Sequence, residues 1–94
     1  MNDVRFRAAM KEAGFSVVMF TYEAHAFGSW YAVVRRDPLM LRLVFDGRDS
    51  VLEIRERPNG GDWGAAWSTL RHQKVSSKDE AQVLNLCKVL LNET

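Results

Sequence analysis

From Trp30 to Glu56 apolar and polar residues alternate with a period of two, interrupted at Asp46-Gly47-Arg48-Asp49. Alternation of this kind marks strands with one buried face and one open face. The interruption reads as a hairpin turn, with Gly47 at the first central position of a type II′ turn, where a positive φ is required. Pairing symmetrically about that turn sets Leu43 against Leu52, Leu41 against Ile54 and Arg42 against Glu53. Apolar side chains then share one side of the ribbon and opposite charges meet on the other.

The flanking segments extend the pattern. Asp3 is placed to cap a first helix of about ten residues, with Phe6, Ala9, Met10 and Ala13 on one face and Gly14 as its C′ stop. Ser16 to Glu23 is rich in β-branched and aromatic residues and predicts a strand with Val18, Phe20 and Tyr22 on one face. Trp30 to Arg36 forms the next strand and ends at the turn signal Asp37-Pro38. Centring the turn there sets Trp30, Ala32 and Val34 beside Leu41, Leu43 and Phe45. Strands at Leu39–Phe45 and Ser50–Arg57 complete a meander that Pro58-Asn59-Gly60-Gly61 terminates. The spacing of Trp63, Trp67 and Leu70 predicts a short helix or turn laid across the core, and Gln73 to Ser77 a polar connector. Ser77 and Glu80 make a capping box before a last helix whose stripe is Val83, Leu84, Cys87, Leu90 and Leu91. The expected fold is α+β: a four-stranded antiparallel meander sheet with the N-terminal and C-terminal helices packed on one face.

Composition narrows the function classes. The 94 residues are 47% apolar and 27% charged with no compositional break, so residues 1–94 read as one globular domain. A chain of this length buries ~65% of its unfolded surface, enough for a core without staples. Thirteen Lys or Arg against twelve Asp or Glu leave a net charge of +1, far from the basic excess of a dedicated duplex binder. A single cysteine, Cys87, excludes an internal disulfide and a cysteine-held zinc. The charged N-terminus lacks an apolar signal core, and no apolar run approaches the ~20 residues of a membrane span. The expectation is a cytoplasmic protein with no membrane partner.

No set of residues with catalytic spacing emerges. His25 and His72 lie in separate connections without a second ligand at metal-binding spacing, so no metal or cofactor is expected. Cys87 falls on an apolar helix stripe, where a thiol has no reason to ionise. Asp46 and Asp49 flank an exposed turn, where paired carboxylates stay solvated and are better read as turn-forming residues than as an acid/base pair. Asn59-Gly60-Gly61-Asp62-Trp63-Gly64 is glycine-rich but lacks the Gly-Lys-Ser/Thr ending of a phosphate loop.

The polar side of the sheet is more informative. It carries Tyr31, Val33, Arg35, Met40, Arg42, Val44, Val51, Glu53 and Arg55, where a merely solvating face would show more Lys, Glu, Thr and Ser. Tyr, Met and Arg are enriched where proteins meet. The candidate contact residues are Tyr31, Val33, Arg35, Arg42, Val44, Glu53 and Arg55 on the sheet, with Asp46, Arg48, Asp49 and Trp63 from the adjoining loops. Two occupants fit: a protein partner or a second copy, or single-stranded nucleic acid stacked on Tyr31. Nucleic acid is disfavoured because Tyr31 is the only aromatic there and Glu53 stands among the arginines.

Four short motifs run through the chain: Gly14-Phe15 after the first helix, Phe27-Gly28-Ser29 before a strand, Leu41 to Asp49 as an LRLVxDRGQ-type hairpin, and Leu52-Glu53-Ile54 leading to Asp62-Trp63. Together they resemble small bacterial immunity proteins of polymorphic toxin systems, encoded beside a secreted toxin. The tip here is Asp-Gly-Arg-Asp rather than Asp-Arg-Gly, and the chain lacks the acidity of many nuclease inhibitors in that group. The resemblance implies a non-enzymatic inhibitor that occludes a cognate toxin, and it assigns no contact residue.

Overall fold

A computed structural model describes residues 1–57, 67–76 and 79–93. In chain order the elements are α1 (Asp3–Glu12), β1 (Ser16–Glu23), β2 (Ser29–Arg36), β3 (Leu39–Asp46), β4 (Val51–Glu56), β5 (Ser68–Lys74) and α2 (Glu80–Asn92). The strands form one antiparallel sheet in the order β1-β2-β3-β4-β5. The fold is α+β as expected, with five strands in place of four. The additional strand is β5, in the region read as an aromatic-bearing turn and a polar connector. Its sequence, Ser-Thr-Leu-Arg-His-Gln-Lys, brings only Leu70 to the edge of the core. An edge strand exposed on most of its surface carries no alternation to detect.

One apolar cluster lies between the helices and one face of the sheet. Phe6 and Met10 of α1 and Val83, Cys87 and Leu91 of α2 meet Trp30, Ala32, Val34, Leu41, Leu43, Leu52 and Ile54 from the inner side of the strands, all nearly or fully buried. At its centre Phe6 stacks on Phe20 at 4.8 Å and meets Trp30 edge-on at 5.1 Å, while Trp30 stacks on Phe45 at 5.9 Å. Offset and edge-to-face pairs each add roughly 0.5–1.5 kcal/mol beyond burial. The first helix thus has its aromatic anchor over the start of β2.

The caps are displaced by one or two residues from their expected places. Asn2, not Asp3, caps α1, its Oδ1 accepting from the Arg5 amide at 3.2 Å. Asp79 caps α2, its Oδ1 accepting from the Ala81 amide at 2.8 Å and the Gln82 amide at 3.3 Å. In each case the residue just before the first helical residue turns its side-chain oxygen onto the free amides; Ser77 lies outside the described residues. Gly14 ends the first helical segment with φ +85°, as its C′ place demands.

The β2–β3 ladder is as read, with Trp30 against Phe45, Ala32 against Leu43 and Val34 against Leu41. The β3–β4 ladder is offset by two residues: Leu43 meets Ile54, Phe45 meets Leu52, and Arg42 meets Arg55 rather than Glu53. The cause is the turn. Asp46 Oδ1 accepts from the amides of Arg48 at 2.9 Å and Asp49 at 3.2 Å, so the loop holds four residues, Gly47 to Ser50. The left-handed residue is Ser50, φ 54°, and Gly47 does not take the positive φ of a II′ turn. A two-residue offset preserves parity, so every side chain keeps its expected face.

A bulge between Val17 and Met19 alters β1. Val17 turns to the core beside Phe20, and Val18 is left exposed rather than sharing their face. The extra residue of a bulge reverses the alternation on one side of it.

Candidate functional site

The helices cover only the inner face of the sheet, and the outer face carries four rows of cross-strand neighbours. Arg35 stands beside Met40, and the Arg57 amide donates to the Met40 carbonyl at 3.3 Å. Met19, Val33, Arg42, Arg55 and Thr69 make the second row. The third is Thr21, Tyr31, Val44, Glu53 and His72, and the fourth ends in Asp46, Val51 and Lys74. The expected sheet residues therefore share one surface, as alternation requires. Thr69, His72 and Lys74 join them from β5, which the sequence pattern had not shown as a strand. The one available signal was local: His72 supplies a partner for a carboxylate already placed on this face.

Val33 is 3% exposed. Ringed by Met19 and Arg42 across the strands and by Tyr31 and Arg35 along its own, it forms the floor of the face rather than a contact side chain. Tyr31, Val44, Arg42, Glu53 and Arg55 are half-buried, and Arg35, Arg48 and Asp49 are exposed. Trp63 lies outside the described residues.

Charges on this face are arranged in pairs. Arg55 grips one carboxylate oxygen of Glu53 through Nη2 at 2.7 Å and Nε at 3.0 Å, while His72 Nε2 approaches the other at 3.6 Å. Arg42 lies with its guanidinium carbon 5.3 Å from the centroid of the Tyr31 ring, a cation–π distance. Arg35 faces Asp37 at 3.6 Å. Between Asp46, Asp49, Val51, Glu53 and His72 lies a shallow depression of about 280 Å³.

The arrangement offers paired charges, one aromatic ring and apolar side chains on a single surface. Among the described residues no group of three or more His, Cys, Asp or Glu is arranged to hold a metal ion. Cys87 is fully buried on α2, and burial pushes its thiol up to about 12, only partly offset by a backbone hydrogen bond, so it is no nucleophile at neutral pH. His72 is 60% exposed and its Glu53 neighbour is already held by Arg55. Among the described residues no helix is long and apolar enough to cross a membrane.

One further feature stands apart from the face. Phe27 and Gly28 both have positive φ, 60° and 76°, and the Ser29 amide closes on the Ala26 carbonyl at 3.0 Å. Two successive left-handed residues thus close the five-residue β1–β2 loop as a type I′-like turn, with an aromatic where Asn, Asp or Gly is favoured. The ring is 66% exposed.

No protein-family model, curated protein or solved structure matches the chain.

Proposed function

We propose that this is a non-enzymatic binding protein that docks a protein partner on the outer face of its sheet. The reading that joins this face to the motif resemblance is an immunity-type inhibitor, acting in the bacterial cytoplasm by steric occlusion of a cognate toxin. One observation carries the proposal: a contiguous surface of Tyr31, Met40, Val44 and Val51 among Arg35, Arg42 and Arg55, opposite the face that the helices fill. Large side chains of this composition, held in place by ladder geometry, suit an interface core with a charged rim.

A protein fits better than a nucleic acid. Glu53 occupies Arg55, and Asp46 and Asp49 stand at the end of the same surface. Three carboxylates beside the arginines oppose a phosphate backbone and favour a partner that carries both signs. The occlusion mechanism asks nothing of the chain beyond shape and charge.

The test is co-expression with the toxin encoded beside it. The expected result is a stable complex on co-purification and protection of the producing cells. Independent elution of the two proteins, with no protection, removes the toxin-inhibitor reading.

A further inference from the structure

The helices do not cover the inner face of the sheet to its end. Tyr22, Trp30 and Phe45 are cross-strand neighbours on β1, β2 and β3, one aromatic row at the end where both helices begin. Trp30 and Phe45 are buried, whereas Tyr22 is 46% exposed. Phe27 stands beside it in the β1–β2 turn, its backbone in the left-handed region and its ring mostly in solvent. A bulky residue is a genuine outlier there. Strain that packing does not offset gathers at sites that meet ligands.

These four rings line a cleft of about 220 Å³, closed on the helix side by Met1, Glu80 and Val83. We propose that the cleft binds a small, uncharged, planar heteroaromatic molecule with one N–H donor, the chemistry of indole. The site lies on the inner side of the sheet, away from the proposed docking face, so neither reading depends on the other.

Volume sets the size of the ligand. An enclosed apolar cavity of ~150 Å³ takes benzene, so this larger space, open toward Phe27 and Tyr22, suits a fused pair of rings. The lining sets its shape, since aromatic walls reward a flat ring through stacked and edge-on contacts. Gly28 keeps the mouth open: a Cβ there would stand 3.6 Å from the Tyr22 hydroxyl.

Glu80 sets the polar group. One of its oxygens accepts from the Asn2 amide at 2.7 Å, and the other lies 3.9 Å from Arg5 Nη1. A carboxylate has lone pairs for further donors, so it can take an N–H from the ligand. Its charge is already faced by Arg5, which leaves no counter-ion for a charged guest and favours a neutral one. A free molecule fits better than a protein. The residues flanking the cleft in sequence, Asn2, Glu23, His25 and Asp79, are exposed and polar. They do not extend the aromatic notch toward the ~800 Å² that a stable protein interface uses on each side.

Proton–nitrogen correlation NMR on the full chain, titrated with indole, tests this. The amides of Gly28, Trp30 and Glu80 should shift saturably, with half-saturation below roughly 1 mM, as suits a ligand of this size. Benzofuran has the same shape with oxygen in place of the N–H. It should bind at least ~10-fold more weakly, the effect of losing a hydrogen bond to a charged acceptor. N-acetyl-tryptophanamide should also bind more weakly than indole, because its backbone atoms exceed the cleft. Phe27→Asn should weaken indole binding by at least ~5-fold, through loss of one ring contact, with a thermal midpoint no lower than wild type. The benzofuran comparison uses the wild-type chain alone and so stands whatever the variant's stability.

Absence of saturable shifts at these amides up to the solubility of indole overturns the proposal, as does benzofuran binding equally well. Tighter binding of N-acetyl-tryptophanamide would assign the cleft to a protein's tryptophan side chain instead. Undiminished binding by a folded Phe27→Asn variant would likewise contradict it.

Discussion

Arg42 and Arg55 stand directly opposite one another on β3 and β4, two like charges in a ladder position that ordinarily favours opposite ones. Each is drawn aside, Arg42 toward the Tyr31 ring and Arg55 onto Glu53. The folded chain tolerates this repulsion on the surface proposed to meet a partner, where an incoming anionic group would relieve it. A double-mutant cycle of Arg42→Gln and Arg55→Gln, followed by urea unfolding, should give an unfavourable coupling of roughly 0.2–1 kcal/mol in the free protein, smaller at high salt. A coupling that is zero or attractive would remove this account of the face.

Gly47 is required for a close approach rather than for an unusual φ. Its amide donates to Ser29 Oγ at 2.9 Å, and a Cβ at this position would collide with the Phe27 carbonyl. The β1–β2 turn is thereby seated against the β3–β4 turn by close backbone approach and the Ser29 hydroxyl. Gly47→Ala should lower the unfolding free energy by roughly 1–3 kcal/mol, the usual cost of forcing packed backbone apart. A urea midpoint unchanged from wild type would mean that the two turns separate freely.

Phe27 offers the opposite case. Its positive φ costs an aromatic residue about 1–2 kcal/mol, and its ring is mostly in solvent. Phe27→Asn gives the type I′-like turn its preferred Asn-Gly pair. The expected outcome is a stabilisation of roughly 0.5–1 kcal/mol, visible as a higher thermal midpoint. A loss of stability instead would show that the ring contributes more to the adjoining Met1 and Trp30 surface than its exposure suggests.

Cys87 links stability to alkaline pH. Its thiol titrates near 9.0 when exposed and near 12 when folded. Below pH 9 both states keep the proton; between 9 and 12 the unfolded chain loses it first, so unfolding is favoured as pH rises. The wild type should therefore lose stability across that window more steeply than Cys87→Ala. The comparison is made by urea titration at several pH values; parallel curves would show that the thiol is not buried as described.

What the sequence discloses and what it withholds divide along physical lines. The β2–β3 register is legible because Asp37-Pro38 marks its turn, and the α2 stripe because five apolar residues recur at helical spacing. The β3–β4 register is not, because the Asp46 side chain satisfies two loop amides and so lengthens a turn that Gly47 alone would make short. Parity still places Arg42, Val44, Glu53 and Arg55 on the outer face. β5 is hidden because an edge strand open to solvent has no alternation, and the spacing of Trp67 and Leu70 imitates a helix instead. Burial of Val33 depends on neighbours from three strands at once, which no local pattern encodes.

The outer side of the sheet is the one proposed to meet the toxin. Hydroxyl-radical footprinting of the free and toxin-bound protein reads this directly, since Tyr31 and Met40 lie on the outer face and Met10 lies in the core. Binding should protect Tyr31 and Met40 strongly, leave Met10 unreactive in both states, and leave exposed Val4 and Val89 on the helices unchanged. Protection at Val4 and Val89, with Tyr31 and Met40 as reactive as in the free chain, would place the interface on the helices and contradict it.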